Sequence, residues 1–120
     1  NPSTHSSWER YEIFDFLKQK NISQEYIINH MNWGTYLISA LYGGKDQLVT
    51  YAEPMDRETA REIIEVSNMT GRKIACVCRG QHCSPRGLSE YFGKDRTILF
   101  EDAKINTKKW KVYLEVSKDR

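Results

Sequence analysis

One hundred and twenty residues, 39% hydrophobic and 28% charged, suffice for one domain with a buried core. Three Trp, seven Tyr and four Phe beside a net charge of only +2 exclude a disordered chain and a strongly basic nucleic-acid footprint. No apolar run nears the roughly 20 residues of a membrane-spanning helix.

The opening Asn1-Pro2-Ser3-Thr4-His5 has no methionine and no signal-like segment, so the chain reads as an excised domain or a processed product. Residues 1–5 and 118–120 are expected as flexible tails around a single domain, 6–117. Ser6-Ser7-Trp8-Glu9 fits a capping box. Behind it Trp8, Tyr11, Ile13, Phe14, Phe16 and Leu17 recur at helical spacing, with Glu9, Arg10, Glu12 and Lys18 between them. Ser23 predicts a second helix running to about Met31, stapled by Ile22 and Ile27. Residues 35–42, rich in β-formers and apolar on both faces, predict an inner strand. Gly43-Gly44-Lys45-Asp46 predicts a turn and 47–52 a second strand, together a β-hairpin.

Asp56 caps a third helix between Met55 and Ala60, with Ala60, Ile63, Ile64 and Met69 as its buried stripe and Glu58, Arg61, Glu62 and Glu65 in solvent. Gly71 closes that helix, because glycine tolerates the left-handed conformation. Residues 73–78 form a short strand buried on both sides. Ser84-Pro85 opens a further helix that buries Leu88, Tyr91 and Phe92 and stops at Gly93. Residues 97–100 are another buried strand. The segment 109–116 alternates, with Trp110, Val112, Leu114 and Val116 on one face, which predicts an edge or outer strand with lysines in solvent; a helix capped by Thr107 is its rival. The order α-α-β-β-α-β-α-β-β predicts an α/β or α+β three-layer sandwich. Its mixed sheet has four or five strands, a hairpin, a central β-α-β-α-β unit and two N-terminal helices. The two glycosylation triplets, Asn21-Ile22-Ser23 and Asn68-Met69-Thr70, fall at expected helix boundaries.

The stretch 76–87 concentrates the chemistry. Cys76, Cys78, His82 and Cys83 have zinc-ligating atoms but lack a second ligand knuckle, and His5 and His30 stand apart, so no metal is expected. Two core cysteines and one loop thiol are expected instead. Cys83 at a helix N-terminus, near Arg79 and Arg86, would be an activated thiol with His82 as its base. No acid orients that histidine, however, and the arginine that phosphatase-type loops place further on is here Ser89. The better reading gathers Arg79, the free amides opening the 85–92 helix, and Arg86 into an anion or partner site beyond the strand ends. No Walker loop or Gly-x-Gly-x-x-Gly accompanies it, so no nucleotide cofactor is expected.

The hairpin with the β-α-β-α-β string loosely resembles restriction-nuclease-type folds, which would imply acids and a lysine on the hairpin. Here Asp46 lies in the turn, Glu53 is followed by Pro54 and Met55, and Glu115 precedes Lys118 at the wrong spacing, so the catalytic set is missing. Lys104, Lys108, Lys109 and Lys111 around Trp110 make the densest basic patch, able to follow a phosphate backbone and stack a base, or simply to protect an edge strand. Trp8, Trp33 and Tyr42 are expected in the core, and any found exposed marks a partner surface.

These observations lead to a non-catalytic interaction domain of a larger intracellular protein, cytoplasmic or nuclear. It takes a protein or peptide through the 79–86 loop or a sheet edge, with His82 and the lysines beside Trp110 as further contacts. Three crowded cysteines, an odd number, argue for the reducing compartment. The alternatives are a nucleic-acid-binding domain, including a nuclease-like fold without its active site, and a small cysteine-dependent enzyme. Nothing in the pattern bears on oligomeric state.

Overall fold

The structure, a computed structural model, describes residues 2–93 and 98–116. Helix α1 (Pro2–Gln19) and the single turn α2 (Ile22–Glu25) precede strand β1 (Tyr26–His30), helix α3 (Trp33–Tyr42) and strand β2 (Leu48–Tyr51). Helix α4 (Arg57–Thr70), strand β3 (Lys73–Arg79), helix α5 (Pro85–Phe92), strand β4 (Phe100–Asp102) and strand β5 (Trp110–Glu115) complete the chain. The strands form one mixed sheet in the order β2-β1-β3-β5-β4, and the class is α+β. β1 pairs in parallel with β2 and β3, while β5 is antiparallel to both β3 and β4. The expected β-α-β-α-β unit is present as β2-α4-β3-α5-β4.

Strand β3 has Ile74, Ala75, Cys76, Val77 and Cys78 all fully buried, as a strand covered on both faces must. Alternation divides the sheet into two apolar clusters. On one face Ile27, Ile74, Cys76, Cys78 and Tyr113 pack with Ala60 and Ile63 of α4 and Leu88 and Phe92 of α5. On the other, Ile28, Ala75, Val77, Trp110 and Val112 pack with Ile13 and Leu17 of α1. The buried Glu115 carboxylate accepts the Ile74 amide at 3.0 Å, tying the start of β3 to the end of β5.

Several expectations are corrected. The second helix ends after one turn and its remainder is β1, because Ile27 and Ile28 are each buried on opposite faces, a pattern that periodicity alone does not separate from a helix. Residues 35–42 are not an inner strand but most of α3. The Asn32 side chain accepts the Thr35 amide at 3.2 Å, and Thr35 and Ser39, one turn apart, form the buried side. The hairpin of 35–52 is therefore not formed, and the likeness to nuclease-type folds loses the element that carried it. Helix α1 begins at Pro2, so Ser6 lies within it rather than at its cap.

Strand β5 is interior, not an edge, and the helix capped by Thr107 is not formed. Instead the Thr107 hydroxyl donates to the Trp110 carbonyl at 2.7 Å. Met69 is 85% exposed, since it lies about 200° around the helix from Ser67, which completes the Ala60–Ile63 stripe in its place. Tyr91 is 40% exposed, beside rather than on the buried Leu88 and Phe92 line. The helix caps hold as read: Asp56 accepts the Thr59 amide at 2.8 Å, and Gly71 ends α4 with φ +74°, a value a side chain would strain. Thr97 lies outside the described residues.

Candidate functional site

Three parallel strands end at one edge of the sheet. There β1 delivers Met31, β2 delivers residues 52–55 with a cis Glu53–Pro54 peptide, and β3 delivers the loop 80–83. Open sheets bind ligands at such an edge because each strand hands over to a loop there. Ser84 then caps α5, its hydroxyl accepting the Gly87 amide at 3.0 Å, with Pro85 as first helical residue.

The loop is held shut by a Cys78–Cys83 disulfide across a Cα–Cα distance of 6.4 Å. This corrects the expectation of a free loop thiol at Cys83: the pair links the end of β3 to the residue before the α5 cap, and Cys76 alone remains free. Burial pushes the Cys76 thiol up, against a smaller opposing effect of the Asn29 side chain, so it is an inert core group.

Two adjoining recesses open at this edge. One of about 480 Å³ is bounded by Met31, Gln81, His82, Leu88, Glu90 and Tyr91. A second of about 210 Å³ lies between Met31, Pro54, Met55, His82 and Tyr91, with Glu53 at its rim. Met31, His82 and Tyr91 belong to both, so they form the ridge between them. The charged lining is acidic, from Glu53 and Glu90, rather than the expected pair of guanidinium groups.

The remaining site residues separate. Arg79 turns to the opposite face of the sheet, where its guanidinium carbon lies 5.2 Å from the Trp110 ring centre. Arg86 stands in solvent and faces Glu90 at 3.9 Å. Trp110 is only 1% exposed and cannot stack a base from solvent. Lys111 faces Asp102 at 3.8 Å, the Lys108 amide donates to Glu9 at 3.2 Å, and the Lys109 carbonyl accepts the Gly80 amide at 2.8 Å. Only His82 of the expected set lines the recess. Among the described residues, no three His, Cys, Asp or Glu side chains gather as a metal cage.

Sequence reasoning missed a surface beside the recess. Trp33 and Tyr36 of α3 stack with ring centres 5.5 Å apart, and Tyr51 at the end of β2 meets both at 5.1 and 5.7 Å. Trp33 is 51% exposed, and Trp8 and Tyr42 are exposed as well, which corrects the expectation that all three are core. The Tyr51 hydroxyl donates to Glu53 at 2.7 Å, joining this aromatic group to the recess rim. That hydrogen bond is the main reason the Tyr51 hydroxyl holds its proton above the usual range. The readable signal was the Asn32-x-x-Thr35 cap, which places Trp33 on the first, outward turn of a helix.

No helix of the described residues is long and apolar enough to cross a membrane. Comparison with family models, with curated proteins and with solved structures finds no match to this chain.

Proposed function

We propose that this is a non-catalytic interaction domain of a larger protein, and that it takes a peptide segment of a protein partner at the carboxyl edge of its parallel strands. The observation that carries the reading is the continuity of the acidic-rimmed recess at Met31, His82 and Tyr91 with exposed Trp33 and Tyr51, packed on the half-buried Tyr36, through the Tyr51–Glu53 hydrogen bond. Exposed aromatics beside an apolar depression are the composition of binding hot spots. Glu53 and Glu90 favour a segment with a basic side chain between apolar ones.

Selection from a displayed peptide library tests this. Enriched sequences should combine apolar and basic residues, and Tyr91→Ala and Trp33→Ala should each weaken the best of them roughly tenfold or more without lowering the melting temperature. Selection of no peptide, or of peptides indifferent to both substitutions, would reject it.

Nucleic acid is the lesser reading, since Trp110 lies in the core and Lys111 faces a carboxylate. A flat plot of log K against log salt dismisses it. The cysteine-enzyme reading is weaker still with Cys83 in a disulfide. The intracellular setting is proposed from the odd cysteine count, and a thiol titration of freshly isolated protein checks it: three titratable thiols after unfolding support it, whereas one points to an oxidising compartment.

A further inference from the structure

Helix α3 is built the wrong way round for a helix of a lone domain. Its ten residues carry no charge, yet its buried side consists of Thr35 and Ser39, each 2% exposed. Trp33, Leu37, Ala40 and Leu41 recur at i, i+4, i+7 and i+8 on the opposite side, the spacing of a stripe that ordinarily faces a core. Trp33 is 51% and Leu41 70% exposed, Ala40 is exposed as well, and Leu37 is half-buried. A helix at the surface of a lone domain turns charged or polar side chains to water; this one turns its apolar ones.

The strand that follows has the same character. β2 forms one border of the sheet, and its residues Leu48, Val49, Thr50 and Tyr51 are uncharged and none is fully buried. Its backbone pairs with β1 on one side, and among the described residues no strand pairs the other. Val49 packs into the cluster on the α1 face, and Tyr51 meets Trp33 and Tyr36, so α3 stands beside this open border. The opposite border strand, β4, carries Glu101 and Asp102, charges of the kind by which sheets refuse further strands. β2 has no such guard.

We propose that a second copy of this chain covers this face, with the two β2 strands paired antiparallel about a two-fold axis normal to the sheet and the two α3 helices packed across the same axis. Such an axis reverses strand direction and keeps each face of the sheet on its own side, so pairing the strands also brings α3 against its counterpart. A foreign partner would have to supply both a strand and an apolar helix in this arrangement, and a second copy supplies both. Ala40, small and exposed, allows the helices to approach to the ~8–10 Å of packed pairs. The α3 stripe, Tyr51 and the half-buried Leu48 and Val49 leave open on the order of 600 Å² per copy, and ~1,200 Å² in the pair is where specific interfaces begin. The recess lies past the strand ends, at Met31, 53–55 and 80–91, and not along this border. The pairing therefore goes beyond the peptide reading and does not rest on it; Trp33 and Tyr51 lie where the two surfaces meet, and the test leaves both unchanged.

The test is sedimentation equilibrium over a wide range of protein concentration, joined to hydrogen exchange. The mass should rise from 14.1 kDa to twice that value and no further, because a two-fold contact closes on itself. The melting temperature should rise with concentration. Ala40→Glu and Leu41→Glu alter exposed side chains, so each should melt where the dilute unsubstituted chain melts, and each should weaken pairing at least tenfold by carrying a carboxylate into the seam. Met69→Glu, at an apolar position 85% exposed on α4, should leave pairing unchanged. Amides of 48–51 that exchange freely in dilute protein should slow as the dimer forms. A mass of 14.1 kDa at millimolar protein, growth beyond two copies, or a dimer indifferent to both α3 substitutions would overturn the proposal. So would a dimer whose 48–51 amides exchange no more slowly, or a selected peptide that protects those amides on a single copy. Peptide capture at the recess by a chain that stays at 14.1 kDa would uphold that reading and reject the pairing, so the two fail separately. Should either α3 variant fail to fold, the other and the mass of the unsubstituted chain decide.

Discussion

Beneath α4 and α5, apolar side chains of the sheet meet apolar side chains of two regularly capped helices, and the loop at the strand ends is fastened by a disulfide. Beneath α1 and α3, the sheet instead carries Arg79, Trp110 and the neutral, buried His30, with Arg10 reaching in from α1. The first face also buries a polar group, Asn29, whose side-chain oxygen accepts the Thr50 hydroxyl at 2.9 Å while its nitrogen has no partner. The second gathers several polar groups whose burial opposes folding unless something satisfies them. The contrast teaches that the two faces should respond differently to substitution, to acid and to reductant.

The largest effect should come from Trp110→Ala, which removes the largest fully buried side chain of the polar-laced face. A loss of about 3–5 kcal/mol by urea unfolding is expected, against roughly 0.5 kcal/mol or less for the exposed Trp33→Ala. Similar losses for the two would break the contrast.

Acid comes next. Burial lowers the pKa of His30 to about 3, below its ordinary value of 6.5. The unfolded chain therefore takes up a proton that the folded chain refuses between these values. Stability from this group is complete above pH 6.5 and declines as the pH falls toward 3, at up to roughly 1.4 kcal/mol per pH unit. Unfolding free energies measured across that window should show this slope, and His30→Gln should flatten it.

Reduction of Cys78–Cys83 should lower stability by about 2 kcal/mol, the chain-entropy value for so short a loop. Its effect on hydrogen exchange should be confined to the end of β3 and the start of α5. A smaller loss than that of the disulfide is expected for Gly71→Ala, about 1 kcal/mol from its left-handed backbone, with unfolding remaining cooperative.

The same contrast governs what could be read from the sequence. The α4–β3–α5 run was legible because each boundary has local chemistry: Asp56, Gly71, Ser84 and Pro85 act on their own neighbours. The segment from Ile22 to Tyr42 was not. Tyr26–His30 is buried on both faces and so shows no alternation, and the β-formers of α3 are overruled by a cap at Asn32 and by packing against α1. Of the candidate site, the location at the carboxyl ends of the strands was legible from element order. The partners of Arg79 and Trp110 were not, because Arg10 is sixty-nine residues away from Arg79 in sequence and only the folded chain brings them to one ring. The same holds for Cys78 and Cys83, whose pairing needs the loop to fold back on the strand that precedes it.

The place of β5 has a bearing on how the molecule comes into being. The final strand is a seam inserted between β3 and β4, not an addition at the border. During synthesis, therefore, β3 presents an open apolar flank and β4 has no neighbour until residues 110–115 leave the ribosome. A product cut short ahead of Trp110 would keep that flank bare, and bare strands recruit one another. Shortening this chain at its end should thus give insoluble material rather than a smaller, working sheet.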